Sequence, residues 1–318
     1  MILALALLVG VVAVAGSGPA FLDRMIRHKT DPQAVLVTWI VLVVATFLTM
    51  IATLTVVLLP TSGPTPLLVQ LVHHCWLAVR HGAVPRFHEI AALALIGALL
   101  LTAVQTGVGL LRYGRHQRKL HHKHLQLLRG IANCEQGPFI TMWLPHSKPL
   151  AYSVAGSPSF VVATEGVRNE LAEIDAAAVL EHERAHLRGR HHLLVGLAEA
   201  LAKSVPWIPL TRRSPELVRT AVELAADRAA ARKHGPGAVQ SALRMMSAMG
   251  GPDTPQHALG MTDSCVALRL DHLGELPEGA TVAKRLLLSG TAGLMAASAP
   301  AMAGIGSLTV IGILTCPL

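Results

Sequence analysis

Val179-Leu-Glu-His182-Glu183-Arg-Ala-His186-Leu-Arg-Gly189 contains the pattern His-Glu-x-x-His within a run of helical character. A helix turns about 100° per residue, so residues four apart share a face, and His182 and His186 can aim both imidazoles at one ion. Glu183 projects beside that face, close enough to take a proton from a water molecule held there, but out of line as a ligand. It is the natural general base. This stretch predicts half of a metal site on a helix that Asp175 caps and that runs to about Lys203, where Pro206 stops it.

The other half lies further along. Ser214 fits an N-cap and Pro215 a first helical position, and the helix they predict stops at His234-Gly235-Pro236. Inside it, Ala221-Val-Glu223-Leu-Ala-Ala-Asp227-Arg places Glu223 and Asp227 four apart on a face that is otherwise small or apolar, with Ala226 and Ala230 beside them. Two carboxylates on such a face need a partner. A zinc ion held by His182, His186 and Glu223, with the fourth position left to water, provides one. Asp227 is then placed to accept a hydrogen bond from the free imidazole N–H of a ligand histidine and fix its tautomer.

The surroundings are membrane. The 318 residues are 52% hydrophobic and 14% charged, which no ordinary soluble domain matches. Four runs without Asp, Glu, Lys or Arg are long enough to cross about 30 Å of hydrocarbon: 2–22, 34–59, 90–111 and 286–314. The first lacks the basic start of a signal peptide and reads as an anchor. Arg24, Arg27 and Lys29 follow the first run; Arg112, Arg115, Arg118, Lys119, Lys123 and Arg129 follow the third; Lys284 and Arg285 precede the fourth. This bias predicts a cell-membrane, multi-pass protein with both termini outside. Its predicted parts are three spans in 1–111 with an outer loop at 60–89, a cytoplasmic domain at 112–285, and a fourth span. The net charge of +8 is mostly an orientation signal, and no nucleic-acid motif accompanies it, so direct nucleic-acid binding is not expected.

Beyond the third run, the basic and His-rich stretch 112–128 is expected to cover acidic headgroups. Residues 139–144, 150–154 and 159–163 then read as three short strands of a small sheet with hairpin turns. Cys75, Cys134, Cys265 and Cys316 show no Cys-x-x-Cys spacing, so thiolate-bound zinc is not expected. Whether Cys75 and Cys316 form a bridge is left open.

His182-Glu183-Arg-Ala-His186, then Glu223-Leu-Ala-Ala-Asp227, with apolar spans before and after, resembles the BlaR/MecR-type integral-membrane zinc metallopeptidases, relatives of the HtpX and CAAX-protease gluzincins. Ala151 to Gly166 is similar to the segment before the motif in those groups, and Pro206-Trp207-Ile-Pro209 resembles the turn before their third-ligand helix. The resemblance implies a mainly α membrane protein with four transmembrane helices and a cytoplasmic α+β zincin-like domain. It implies zinc-dependent cleavage of a protein or peptide at the cytoplasmic face, in antibiotic-sensing members a BlaI-type transcriptional repressor. HtpX- or CAAX-like processing of membrane proteins, and a non-catalytic zinc-binding signalling scaffold, are the alternatives. The chain ends at Leu318 directly after the last run, so a penicillin-binding sensor domain is not expected. Position 191 is His where several relatives carry Asp, which leaves the role of that position open. The substrate is expected to add as a strand near Ser153 to Gly156. For the oxyanion donor, Tyr152, His191, His192, Arg228 and His234 all qualify.

Overall fold

The computed structural model describes residues 2–58, 87–128, 130–137, 139–249 and 263–274. The expected fourth span, most of the outer loop, Cys75 and Cys316 lie outside them. Helix α1 (Ile2–Arg27) and helix α2 (Pro32–Leu58) form an antiparallel apolar pair. They are joined at a turn where Lys29 takes φ 54° and the Asp31 carboxylate accepts a hydrogen bond from the Gln33 N–H at 3.0 Å. Among the described residues three helices are long and apolar enough to cross a membrane, over Val9–Arg27, Pro32–Thr53 and Ile96–His116.

The third of these belongs to α3 (Phe87–Leu128), 42 residues long. It continues unbroken through the basic stretch, because a change from apolar to charged side chains alters what surrounds a helix and not its backbone hydrogen bonds. The stretch is not wholly a surface either: His121 is buried, with its ring 5.4 Å from that of Phe160.

The sheet has four strands in the order β1-β2-β4-β3: β1 (Asn133–Glu135), β2 (Ile140–Leu144), β3 (Ala151–Val154) and β4 (Phe160–Thr164). The three expected strands are present, and β1 is an addition that three exposed residues did not announce. Only β3 and β4 form a hairpin between expected neighbours. Strand β4 inserts beside β2 in parallel, Ile140 opposite Phe160 and Leu144 opposite Thr164, instead of leaving β2 and β3 paired. All five β4 residues are buried, and a strand covered on both faces belongs at the centre. Strand β3 is thereby an outer strand, and it packs against the helix that carries the His-Glu-x-x-His motif.

After the short α4 (Glu165–Glu170), that helix is α5 (Glu173–Arg188). Its N-cap is Ala172, and Asp175 is buried in the first turn instead of capping it. The single helix expected as far as Lys203 is in fact two. Gly189 ends α5 and Arg190 takes the left-handed conformation, φ 48° and ψ 38°, before α6 (His191–Ser204) begins. Leu187 and Val195 stay buried on either side of the break, so apolar spacing alone did not mark it.

Helix α7 (Pro209–His234) starts a turn and a half before the Ser214-Pro215 pair, with Pro209 at its first position. Ser214 is inside the helix, fully buried, where it donates to Leu210 O at 2.7 Å and accepts the Trp39 Nε1–H at 2.7 Å. That tertiary hydrogen bond to α2 takes the hydroxyl that a cap would have used. Gly235, at φ 87°, ends α7 as expected. Helices α8 (Pro236–Met249) and α9 (Asp263–Gly274) follow. Leu22, Trp39, Val195, Leu210, Val218 and Val222 belong to one continuous core, so the helix that carries Glu223 rests directly on the apolar α1–α2 pair.

Candidate metal centre

Three side chains from two helices converge inside the protein. His182 and His186 come from α5 and Glu223 from α7, all three buried. Nε2 of His182 lies 3.1 Å from Nε2 of His186 and 3.4 Å from Glu223 Oε2, and Nε2 of His186 lies 3.3 Å from Glu223 Oε1. Ligand atoms held at about 2.0–2.1 Å by a tetrahedral ion sit roughly 3.3 Å from one another. The two nitrogens, each facing a different oxygen of the Glu223 carboxylate, therefore already stand at about the separations a zinc-sized ion requires. Glu223 Oε1 is buried and makes no hydrogen bond, which a cation would remedy. Two imidazoles and one carboxylate form a donor set that suits zinc and leaves a fourth position open. The residues present fit a divalent metal ion.

Each imidazole is also held from behind. Nδ1 of His182 lies 2.9 Å from Asp227 Oδ1, one turn along α7 from Glu223. Nδ1 of His186 lies 2.9 Å from Nδ1 of His191. Both rings therefore turn Nε2 toward the shared point and Nδ1 toward a partner, an arrangement that fixes ring orientation and tautomer in metal sites. The His191 contact depends on the break between α5 and α6. The left-handed Arg190 turns the chain back, and Gly189 leaves room for the ring: a Cβ there would lie 2.3 Å from His191 Nε2.

The charge balance rests on a residue that sequence reasoning missed. Arg269, on α9, is 1% exposed. Its Nε and Nη2 donate to the two Asp227 oxygens at 2.6 Å each, and its Nη1 lies 3.1 Å from Glu223 Oε2. Burial opposes ionisation of both carboxylates, yet His186 in its protonated form, Arg269 and His182 hold Glu223 down at about 2. Arg269 and His182 likewise hold Asp227 well below the usual carboxylate range. Burial also disfavours a charged His182, but hydrogen bonds to Asp227 and Glu223 outweigh it and raise its pKa to about 10. A proton there takes the place of a cation's charge, and a metal ion would displace it. Burial dominates at His186, whose pKa falls to about 3, leaving it a neutral donor.

Glu183 sits one residue along α5 from His182 and is partly buried. Desolvation raises its pKa to about 7, against the charge of His182 and a hydrogen bond from the Ser153 hydroxyl of β3. A carboxylate near neutrality suits proton transfer in either direction. Among the five candidate oxyanion donors, His191 meets His186 and Arg228 forms an ion pair with Asp31 at 3.3 Å. Tyr152 lies on β3, and His192 and His234 are partly buried near the ends of α6 and α7.

No protein-family model, no curated protein and no solved structure matches this chain. What can be said of function therefore rests on the site itself.

Proposed function

We propose that this protein is a membrane-embedded zinc metalloendopeptidase of the gluzincin type, with His182, His186 and Glu223 as metal ligands and Glu183 as general base. The observation that carries this reading is the convergence of two imidazole nitrogens 3.1 Å apart on the Glu223 carboxylate, one oxygen of which lies 3.4 Å from His182 and the other 3.3 Å from His186, with a carboxylate of near-neutral pKa in the adjoining residue. When bound, zinc supplies the Lewis acidity that activates water and polarises a peptide carbonyl. Glu183 takes the water's proton and passes it to the leaving amine. Asp227 and His191 keep the two imidazoles in the tautomer that binds metal through Nε2, and Arg269 keeps Asp227 and Glu223 ionised.

Strand β3, an outer strand beside α5, is the edge along which an extended substrate would pair, placing its scissile bond near Ser153 and Glu183. In this reading four spans hold the domain at the cytoplasmic face, with both termini outside. The substrate is a protein or peptide: a BlaI-type repressor if the protein works as the BlaR/MecR group does, a membrane protein if it works as HtpX or CAAX proteases do. Incubation of purified full-length protein with casein tests the activity, with and without a chelator and beside Glu183→Gln. Cleavage that survives both treatments refutes the mechanism. Zinc binding without any cleavage would support the scaffold alternative. Comparison of cleaved peptides in wild-type and Glu183→Gln cells identifies the substrate.

A further inference from the structure

Beside the metal centre lies an open cleft of about 570 Å³ between the start of α2, the end of α5 and the last turns of α7. Its charged lining is uneven. Among the described residues, Arg188, Arg232 and Lys233 contribute three cations, and Glu181 the one carboxylate, which pairs with both Arg188 and Lys233. Three positive charges and one negative leave the lining at +2. Gln33 adds an amide from the first turn of α2.

Position gives this cleft its meaning. Gln33 is the second residue of the candidate span Pro32–Thr53, and the candidate span Val9–Arg27 ends across the turn from it. Whichever way the spans are oriented, the cleft opens at the depth where they leave the hydrocarbon, which is where lipid phosphates lie. Basic pockets at the ends of membrane helices recognise the headgroups of anionic lipids, and guanidinium groups match phosphate oxygens in geometry as well as charge.

We propose that this cleft binds the phosphate headgroup of an anionic phospholipid. His191 is shared between the two sites: it lines the cleft and its Nδ1 meets His186. A bound headgroup would thus lie against the partner of a candidate metal ligand. The binding itself does not depend on the protease reading, since it needs neither metal nor turnover.

The test is native mass spectrometry of the full-length protein released from bilayers of mixed phosphatidylcholine and phosphatidylglycerol. The expected result is retention of phosphatidylglycerol over phosphatidylcholine by wild type and by Glu183→Gln alike. In the combined variant Arg188→Gln, Arg232→Gln, Lys233→Gln, retention should fall on the order of 100-fold, the product of the surface attraction of three cations. Ala229→Phe, which fills the cleft and leaves its charges in place, should also lose the lipid, so the proposal does not depend on the triple variant folding. Arg24→Gln with Arg27→Gln, basic residues at the same depth that do not line the cleft, should retain it. Equal retention of both lipids, equal loss in the Arg24 and Arg27 control, or displacement of the lipid by millimolar inorganic phosphate would each overturn the proposal. The last result would reassign the cleft to a free anion.

Discussion

Asp227 Oδ1 lies 2.9 Å from Nδ1 of His182, on the edge of the ring opposite the point that His182, His186 and Glu223 share. A carboxylate there makes the imidazole a stronger and better-aimed donor, and loss of such a partner typically costs 10- to 100-fold in metal affinity. Asp227→Ala should therefore weaken zinc binding by about that factor, read by competition with a chromogenic chelator. Asp227→Asn, which can still accept the hydrogen bond, should lose less.

Arg269→Gln should destabilise the protein before any effect on metal is considered. Two buried carboxylates would be left without their shared cation, and breaking a buried pair typically costs about 3–5 kcal/mol. Chemical denaturation of the metal-free protein measures it. Arg269→Lys should fall between wild type and Gln, because one ammonium cannot span the two Asp227 oxygens and Glu223 together.

His191→Ala removes the partner of His186 Nδ1 and should lower zinc affinity by roughly 10-fold, measured by titration calorimetry. His191→Asp should restore it in part, since a carboxylate at this point accepts the same N–H. Gly189→Ala should imitate His191→Ala, because its methyl group would displace the ring. If Gly189→Ala and wild type bind zinc equally, the left-handed turn at Arg190 does not serve the site.

The pKa of Glu183 gives activity and stability opposite dependences on pH. In the proposed role of base it must be ionised, so the proposed cleavage should rise with pH along a limb whose midpoint is at or below about 7, a bound cation lowering it further. For stability the sign reverses. Because burial raises the folded-state pKa from 4.5 to about 7, the folded protein holds a proton that the unfolded chain has released, and stability is lost as pH rises through that window. Metal-free Glu183→Gln should thus be more stable than metal-free wild type at about pH 8, on the order of 3 kcal/mol, and equal to it near pH 4. Denaturation curves at the two pH values check both statements.

How much of this is written in the sequence depends on the range of each interaction. The His182–His186 spacing, the Glu223–Asp227 spacing, three of the apolar runs and three of the four strands were legible, because each follows from the repeat of one helix or one strand. Packing decided the rest. Arg269 reaches Asp227 from 42 positions away, and Trp39 takes the Ser214 hydroxyl from 175 away, so neither leaves a local pattern. The parallel seating of β4 beside β2 and the return of His191 onto His186 depend on the same kind of choice. A residue's neighbours along the chain set its backbone preference, but which distant side chain satisfies a buried charge or ring nitrogen is settled only when the elements close on one another.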